Sequence, residues 1–99
     1  MIILNGRIKT SPEDVRALAA DLVAGVARTR KEDGCIEYGF ALEDAEAGTI
    51  LVIERWRDQA SLDTHLATPE IAELFGKWGG RFEAQVRMFD ASNERGMGE

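Results

Sequence analysis

Four side chains of this 99-residue chain could transfer a proton or hold an aromatic ring. His65 is the only histidine, and an imidazole titrates near neutral pH, which suits a general base. Tyr38 offers a phenol hydroxyl that could bind a carbonyl oxygen, and Trp56 offers a flat ring with one N–H donor. Glu54 is an acid in an apolar segment, so it could orient His65 or accept a hydroxyl.

Each of these residues also has a purely structural explanation, and the sequence leaves both explanations open. Trp56 could anchor the helices as an ordinary core residue, and Tyr38 could be a core ring whose hydroxyl reaches the rim. Glu54 could pair with an arginine or accept from a backbone N–H, and His65 could bond a backbone carbonyl. Cys35 has no histidine near it in the sequence and is expected to be a small buried hydrophobe.

The first elements that must position these residues are a strand and a helix. Residues 1–9 alternate between two faces, which predicts a strand. Ser11 and Pro12 are typical of a helix start, and Gly34 follows the end of the helix. An apolar stripe at helical spacing runs between them: Val15, Leu18, Ala19, Leu22 and Val26.

A hairpin of two strands follows. Residues 35–43 predict the second strand and residues 44–48 its loop. The pattern puts four residues of this strand on one face: Ile36, Tyr38, Phe40 and Leu42. Residues 49–57 predict a third strand, which is apolar on both faces because Leu51 and Ile53 alternate with Val52 and Trp56. Such a strand is covered on both sides, and the helix can cover only one of them.

The rest of the chain predicts two helices and a last strand. Asp58 begins a short helix that runs through Leu66, and Thr68 begins another that ends at Gly79 and Gly80. Residues 84–89 predict the last strand. The order of elements favours an α+β fold of the ferredoxin-like split β-α-β type, with helices on one face of a four-stranded antiparallel sheet. We expect one domain at residues 1–91 and a flexible tail at residues 92–99.

Composition excludes several classes of function. A net charge of −6 argues against binding to a nucleic-acid backbone, which needs a basic surface. No apolar run approaches the roughly 20 residues of a membrane span, and residues 1–4 are too short for a signal peptide, so we expect a cytoplasmic protein. One Cys and one His lack the spacing of a metal site, so no metal or cofactor is expected.

Three segments in order are similar to a known family: residues 33–38 (DGCIEY), 54–56 (ERW) and 65–69 (HLATP). The chain resembles the antibiotic biosynthesis monooxygenase family from Met1 to about Asp90. This family includes cofactor-free quinol and anthrone oxygenases. The resemblance implies a homodimer in which two sheets meet face to face as an α+β barrel. The exposed apolar face expected at Leu51 and Ile53 points to the same dimer independently.

The resemblance also implies a cavity between the sheet and the helices, and it suggests roles for eight residues. His65 would be the general base, with Tyr38 and Glu54 as further catalytic candidates. The substrate-binding candidates are Trp56, Val52, Leu62, Phe75 and Trp78. The function implied is a cofactor-independent monooxygenase acting on a quinol or polycyclic phenol, a small aromatic substrate that reduces O₂ once it is deprotonated.

The sequence also departs from parts of the family. Haem-degrading relatives use an Asn where this chain has Gly6 and a His near Leu74 or Phe75, which argues against haem degradation. The Asn and Tyr that accompany the Trp of anthrone oxygenases become Val52 and Leu62. Two alternatives therefore stay open. One is an isomerase of a small oxo-compound, and the other is a dimeric small-molecule-binding or stress-related protein without turnover.

Overall fold

The computed structural model describes residues 1–98, which contain four strands and four helices. In chain order these are β1 (Ile2–Thr10), α1 (Val15–Ala24), α2 (Val26–Thr29), β2 (Cys35–Asp44), β3 (Thr49–Trp56), α3 (Gln59–Leu66), α4 (Pro69–Trp78) and β4 (Phe82–Asp90). The sheet order is β2-β3-β1-β4, and every neighbouring pair is antiparallel. This arrangement confirms the predicted ferredoxin-like α+β fold with helices on one face.

The alternation of β3 decides which side chains face the helices. Every second residue of β3 is buried, including Val52, Glu54 and Trp56, whereas Leu51 and Ile53 are exposed on the opposite face. The buried residues divide into two clusters. One contains Ile8, Val15, Leu18, Leu22, Ile50, Val52 and Trp78. The other contains Ile2, Tyr38, Trp56 and Leu62.

The helix predicted after Ser11 is divided in two, which corrects the sequence prediction. The Ser11 hydroxyl accepts from a backbone N–H at 3.2 Å, but regular α-helix begins only at Val15. At Gly25 the backbone N–H bonds the Leu22 carbonyl at 3.3 Å. This i to i−3 bond tightens the turn, so α1 ends at Ala24 and α2 begins at Val26. No helix of residues 1–98 is long and apolar enough to cross a membrane.

The face assignment of β2 also needs one correction. The register between β2 and β3 shifts between Cys35 and Glu37, so Ile36 drops out of the alternation. Cys35 then pairs with Trp56 and Tyr38 with Glu54, while Ile36 is 49% exposed. Ile36 is the extra residue of a β-bulge, so Cys35 and Tyr38, three positions apart, both lie opposite buried residues of β3. Strict alternation predicts instead that Ile36 shares a face with Tyr38.

The C-terminal segment begins against β1. The N–H of Ala91 donates to the Met1 carbonyl at 2.9 Å, and Glu94 pairs with Arg55 at 2.7 Å. The last residue of the predicted tail, Glu99, lies outside the described residues. The division into a domain at residues 1–91 and a flexible tail stays a prediction.

The sheet face opposite the helices exposes large apolar side chains. Leu51 is 41% and Ile53 is 45% exposed, and Phe89 of β4, which pairs with Ile3, is 50% exposed. Leu51 and Ile53 line an open hollow of about 540 Å³ on this face. Several large apolar side chains exposed on one sheet face indicate an interaction surface. The homodimer expected from the sequence would cover it, and that dimer stays a prediction.

A charge at Ile53 should dissociate this dimer. In Ile53→Asp an unpaired carboxylate would be buried against the partner sheet, so we expect the dissociation constant to rise at least about a hundredfold, or about 3 kcal/mol. Sedimentation over a concentration series measures this. Val23→Asp is the matched control, because Val23 is 51% exposed on α1, away from the sheet. A wild-type protein that sediments as a monomer at micromolar concentration would contradict the dimer.

Candidate active site

Strands β2 and β3 and helix α3 bring four predicted site residues into one cluster. The rings of Trp56 and His65 lie with their centroids 4.8 Å apart at a tilt of 32°. Tyr38 meets His65 edge to face at 5.2 Å and Trp56 at 6.3 Å. Glu54 is opposite Tyr38 in the strand register. The indole is fully buried and the imidazole is 2% exposed, so the cluster lies in the interior of the subunit.

Capping and a close backbone approach place His65. The Asp58 carboxylate accepts from the backbone N–H of Ser61 at 2.8 Å and from its hydroxyl at 2.7 Å, which starts α3. Gly34 has φ +84°, and a Cβ there would collide with the Ser61 side chain. The loop before β2 can therefore lie directly against the first turn of α3. His65 is in the last turn of this helix, where its carbonyl accepts from the Thr68 hydroxyl at 2.8 Å.

The partner of the imidazole is Glu32, which sequence reasoning missed. His65 Nδ1 lies 3.1 Å and 3.2 Å from the two carboxylate oxygens of Glu32. The sequence had offered Glu54 or a backbone carbonyl as the partner of His65, and neither accepts from Nδ1. Glu32 stands in a charged stretch shortly before Gly34, and it is 33 positions from His65. The sequence could indicate only that a buried imidazole needs a hydrogen-bond partner, and not which residue supplies it.

Glu54 accepts a hydrogen bond from the indole Nε1 of Trp56 at 2.9 Å. Glu54 is only 9% exposed, and this burial raises the pKa of its carboxyl above the ordinary value. The indole bond and the nearby His65 oppose the rise without cancelling it. The hydrogen-bond partner of Glu54 is therefore the Trp56 indole, and not an arginine or a backbone N–H as its structural explanation expected. This hydrogen bond fixes the orientation of the Trp56 ring.

Tyr38 is held as a neutral phenol. Burial raises its pKa far above the ordinary value of 10, and the nearby carboxylates of Glu54 and Glu32 raise it further. A phenol in this state can donate its proton in a hydrogen bond but does not act as a base near neutral pH. The backbone carbonyl of Tyr38 accepts from Arg30 Nε at 3.0 Å, which ties β2 to the preceding loop.

A cavity of about 310 Å³ opens between α1, α2 and α4, and Tyr38 lines it. The cavity is lined by Asp21, Leu22, Ala24, Gly25, Arg28, Thr29, Tyr38, Glu70, Ile71, Glu73, Leu74 and Lys77. Two ion pairs join α4 to the other helices across it. Arg28 lies 3.8 Å from Glu70, and Lys77 lies 2.8 Å from Asp21. Tyr38 thus connects the cavity to the buried cluster.

The other predicted binding residues are not brought to this cavity. Leu62 packs in the same cluster as Trp56, but Val52 and Trp78 belong to the other core cluster. Trp78 donates its indole N–H to Asp21 at 2.8 Å, which anchors the end of α4. Phe75 is 52% exposed. Of the eight residues predicted for the site, Tyr38 alone lines the cavity among residues 1–98.

No three His, Cys, Asp or Glu side chains within the described residues are grouped as metal ligands. The free thiol of Cys35 is partly buried next to the cluster. Burial raises its pKa, and the carboxylates of Glu32 and Glu54 raise it further. A thiol with a raised pKa is a poor nucleophile. This environment agrees with the structural role expected for Cys35.

Comparison with known proteins identifies the family. Residues 1–77 match the model of the antibiotic biosynthesis monooxygenase family, and the chain belongs to this family. Two relatives match at the sequence level. An uncharacterised protein from Synechocystis is 34% identical over 76 residues, which cover 77% of this chain and 52% of that protein. Rv0793, a candidate monooxygenase from Mycobacterium tuberculosis, is 38% identical over 63 residues, which cover 64% of this chain and 61% of that protein.

This chain therefore spans only about half to three fifths of the length of these two relatives. Solved structures match more completely. A crystal structure of a candidate antibiotic biosynthesis monooxygenase from Deinococcus radiodurans superposes with a TM-score of 0.83 at 25% identity, covering 98% of both chains. The structure of Rv0793 gives a TM-score of 0.80 at 28% identity, covering 96% of this chain and 98% of that one.

Replacing Glu54 by Gln should stabilise the protein increasingly as pH rises. A raised pKa means that the stability contributed by this group is present below the ordinary value of 4.5 and is lost as pH rises through the folded-state pKa. Gln keeps the acceptor for the Trp56 indole and does not ionise. The melting temperature of Glu54→Gln minus that of wild type should therefore grow between about pH 4 and pH 7.

Glu13→Gln is the matched control for this titration, because Glu13 is exposed and its variant should track wild type at every pH. A melting-temperature difference for Glu54→Gln that does not change with pH would show that Glu54 is not destabilised by burial.

Tyr38 should resist ionisation until the protein unfolds. The chain contains one Tyr, so the ultraviolet absorbance of tyrosinate reports on this residue alone. Because burial raises the Tyr38 pKa, its stabilising contribution is present below pH ~10 and is lost at higher pH. We expect the tyrosinate signal to appear together with the loss of Trp fluorescence from the folded state. A reversible titration near pH 10 in folded protein would contradict the burial of this hydroxyl.

Proposed function

We propose that the protein is a cofactor-independent monooxygenase that oxidises a quinol or polycyclic phenol, with His65 as general base. One observation carries this proposal. A buried imidazole is fixed by a carboxylate and touches Tyr38, which lines the cavity. Membership of the antibiotic biosynthesis monooxygenase family supports it, as do relatives named as candidate monooxygenases.

The chemistry needs only a base and a site that admits O₂. His65 removes the proton of the substrate hydroxyl and leaves an electron-rich phenolate. The phenolate gives electrons to O₂ and forms a carbon–oxygen bond to it. The peroxide that forms takes the proton held by His65. His65 then removes the hydrogen of the attacked ring carbon as a proton, and a C=O bond forms as the O–O bond breaks. One oxygen atom stays in the product, and the departing hydroxide takes that second proton and leaves as water. All four electrons come from the substrate.

The cavity fits a substrate of this class. Its volume of about 310 Å³ is at the lower end of small-molecule sites, which suits a few fused rings. Tyr38 is held as the neutral phenol and would donate a hydrogen bond to the substrate oxygen as negative charge develops there. Leu22, Ile71 and Leu74 supply apolar walls.

A binding protein without turnover is the second candidate, and the burial of the cluster favours it. Trp56 is fully buried and His65 is 2% exposed, so neither ring presents a free surface to the cavity. A substrate must displace side chains around Tyr38 before His65 can reach its hydroxyl. A ligand that only binds would need the cavity and nothing more.

His65→Gln separates these two functions. General-base catalysis contributes about 10²–10⁴-fold, so oxygen uptake with an accepted hydroquinone should fall by that factor in the variant. Stability should change by about 1 kcal/mol, because Gln keeps a polar group near Glu32. An oxygen electrode and thermal melting measure the two effects.

Leu66→Gln serves as the control, because Leu66 lies beside His65 in α3 and is 53% exposed. Its turnover should equal that of wild type. Unchanged turnover in folded His65→Gln would remove His65 from the reaction. Hydroquinone binding to wild type without oxygen uptake would favour the binding protein. All samples are treated with a chelator first, and stoichiometric iron, zinc or a haem absorption band in active protein would contradict cofactor independence.

A further inference from the structure

Among residues 1–98, Glu32 is the carboxylate within hydrogen-bond distance of His65. Both of its oxygens lie within 3.2 Å of Nδ1. The two partners differ in exposure, since the imidazole is 2% and the carboxylate 23% exposed. Glu32 also lines a separate, open cavity of about 280 Å³ beside α3. Water can therefore reach the carboxylate without reaching the ring.

The backbone around Glu32 is fixed on both sides. Its N–H donates to the Thr29 carbonyl at 3.0 Å, and its carbonyl accepts from the N–H of Cys35 at 3.1 Å. The next turn is tied to β3, because the N–H of Arg57 donates to the Gly34 carbonyl at 2.8 Å. The loop between α2 and β2 therefore holds the carboxylate at a set position relative to α3.

This contact determines which nitrogen of His65 can act as a base. An ionised carboxylate only accepts hydrogen bonds, so Nδ1 must carry the proton when it faces one. In the neutral ring Nε2 then has the free lone pair. Nε2 is then the nitrogen that can take a proton from a substrate, as in other carboxylate–histidine pairs.

We propose that Glu32 is a positioning residue that holds the Nδ1–H tautomer of His65, so that Nε2 faces the substrate as the base. The catalytic consequence rests on the proposed function, whereas the tautomer does not. Glu32 does not line the cavity that contains Tyr38, so it acts through His65 rather than by binding substrate.

The tautomer can be observed directly because the chain has a single histidine. In protein labelled with ¹⁵N-histidine, the nitrogen shifts and their couplings to the ring protons distinguish Nδ1–H from Nε2–H. At alkaline pH the wild-type spectrum should show Nδ1–H. Glu32→Ala should lose this preference. An Nε2–H ring in wild type, or an unchanged Nδ1–H ring in folded Glu32→Ala, would overturn the proposal.

Asp33→Ala is the matched control, because Asp33 is the neighbouring acid, its side chain is 90% exposed and it pairs with Arg57 rather than His65. Its tautomer should match that of wild type. Should Glu32→Ala fail to fold, the wild-type spectrum still decides, and Glu32→Asp gives a second variant that keeps the charge.

Steady-state kinetics with a hydroquinone that wild type oxidises test whether Glu32 orients His65 for catalysis. Glu32→Ala should lower kcat at least about tenfold and leave KM nearly unchanged, because the lost carboxylate orients the base and does not touch the substrate. Glu32→Asp should restore part of kcat. An Ala variant with wild-type kcat would contradict the positioning role. A wild type that shows the Nδ1–H tautomer but consumes no oxygen would instead refute the proposed function alone.

Discussion

The two-faced alternation of β3 is the constraint on which the rest of the structure depends. The strand lies between β1 and β2, so the direction of its side chains fixes the inner face of the sheet. Val52 and Trp56 point toward the helices, where Val52 belongs to the first core cluster and Trp56 to the second. Leu51 and Ile53 point away and leave an apolar face that one subunit cannot cover. A shift of one residue would exchange these two sets.

The same alternation carries a polar residue into the interior, which then requires further polar contacts. Glu54 follows Val52 on the buried face, and the indole N–H of Trp56 satisfies one of its oxygens. His65 stacks near Trp56 and takes its own partner, Glu32, from the loop before β2. Removing one member would leave another buried polar group unsatisfied, which costs more than the bond itself is worth. The two hydrogen bonds therefore favour a single arrangement of these buried side chains.

The helices create the cavity by packing incompletely. Trp78 is the buried residue of α4, and its indole bond to Asp21 fixes one end of the helix. Toward the other end, exposed charged pairs such as Arg28–Glu70 bridge the gap, and such pairs contribute little stability. The ion pair at this end of α4 therefore adds little to the packing of the helix.

The sequence by itself determined the order of the elements, the faces of β1 and β3, and the Asp58 and Thr68 caps. These follow from periodicity, local hydrogen bonding and family resemblance. Only the tertiary structure decided that Ile36 leaves the alternation, that Gly25 divides the first helix, and that Glu32 is the partner of His65. It also placed Trp78 and Phe75 away from the cavity that Tyr38 lines. The physical reason is that contacts between side chains tens of positions apart depend on how the loops and helices pack. Local sequence patterns do not determine that packing.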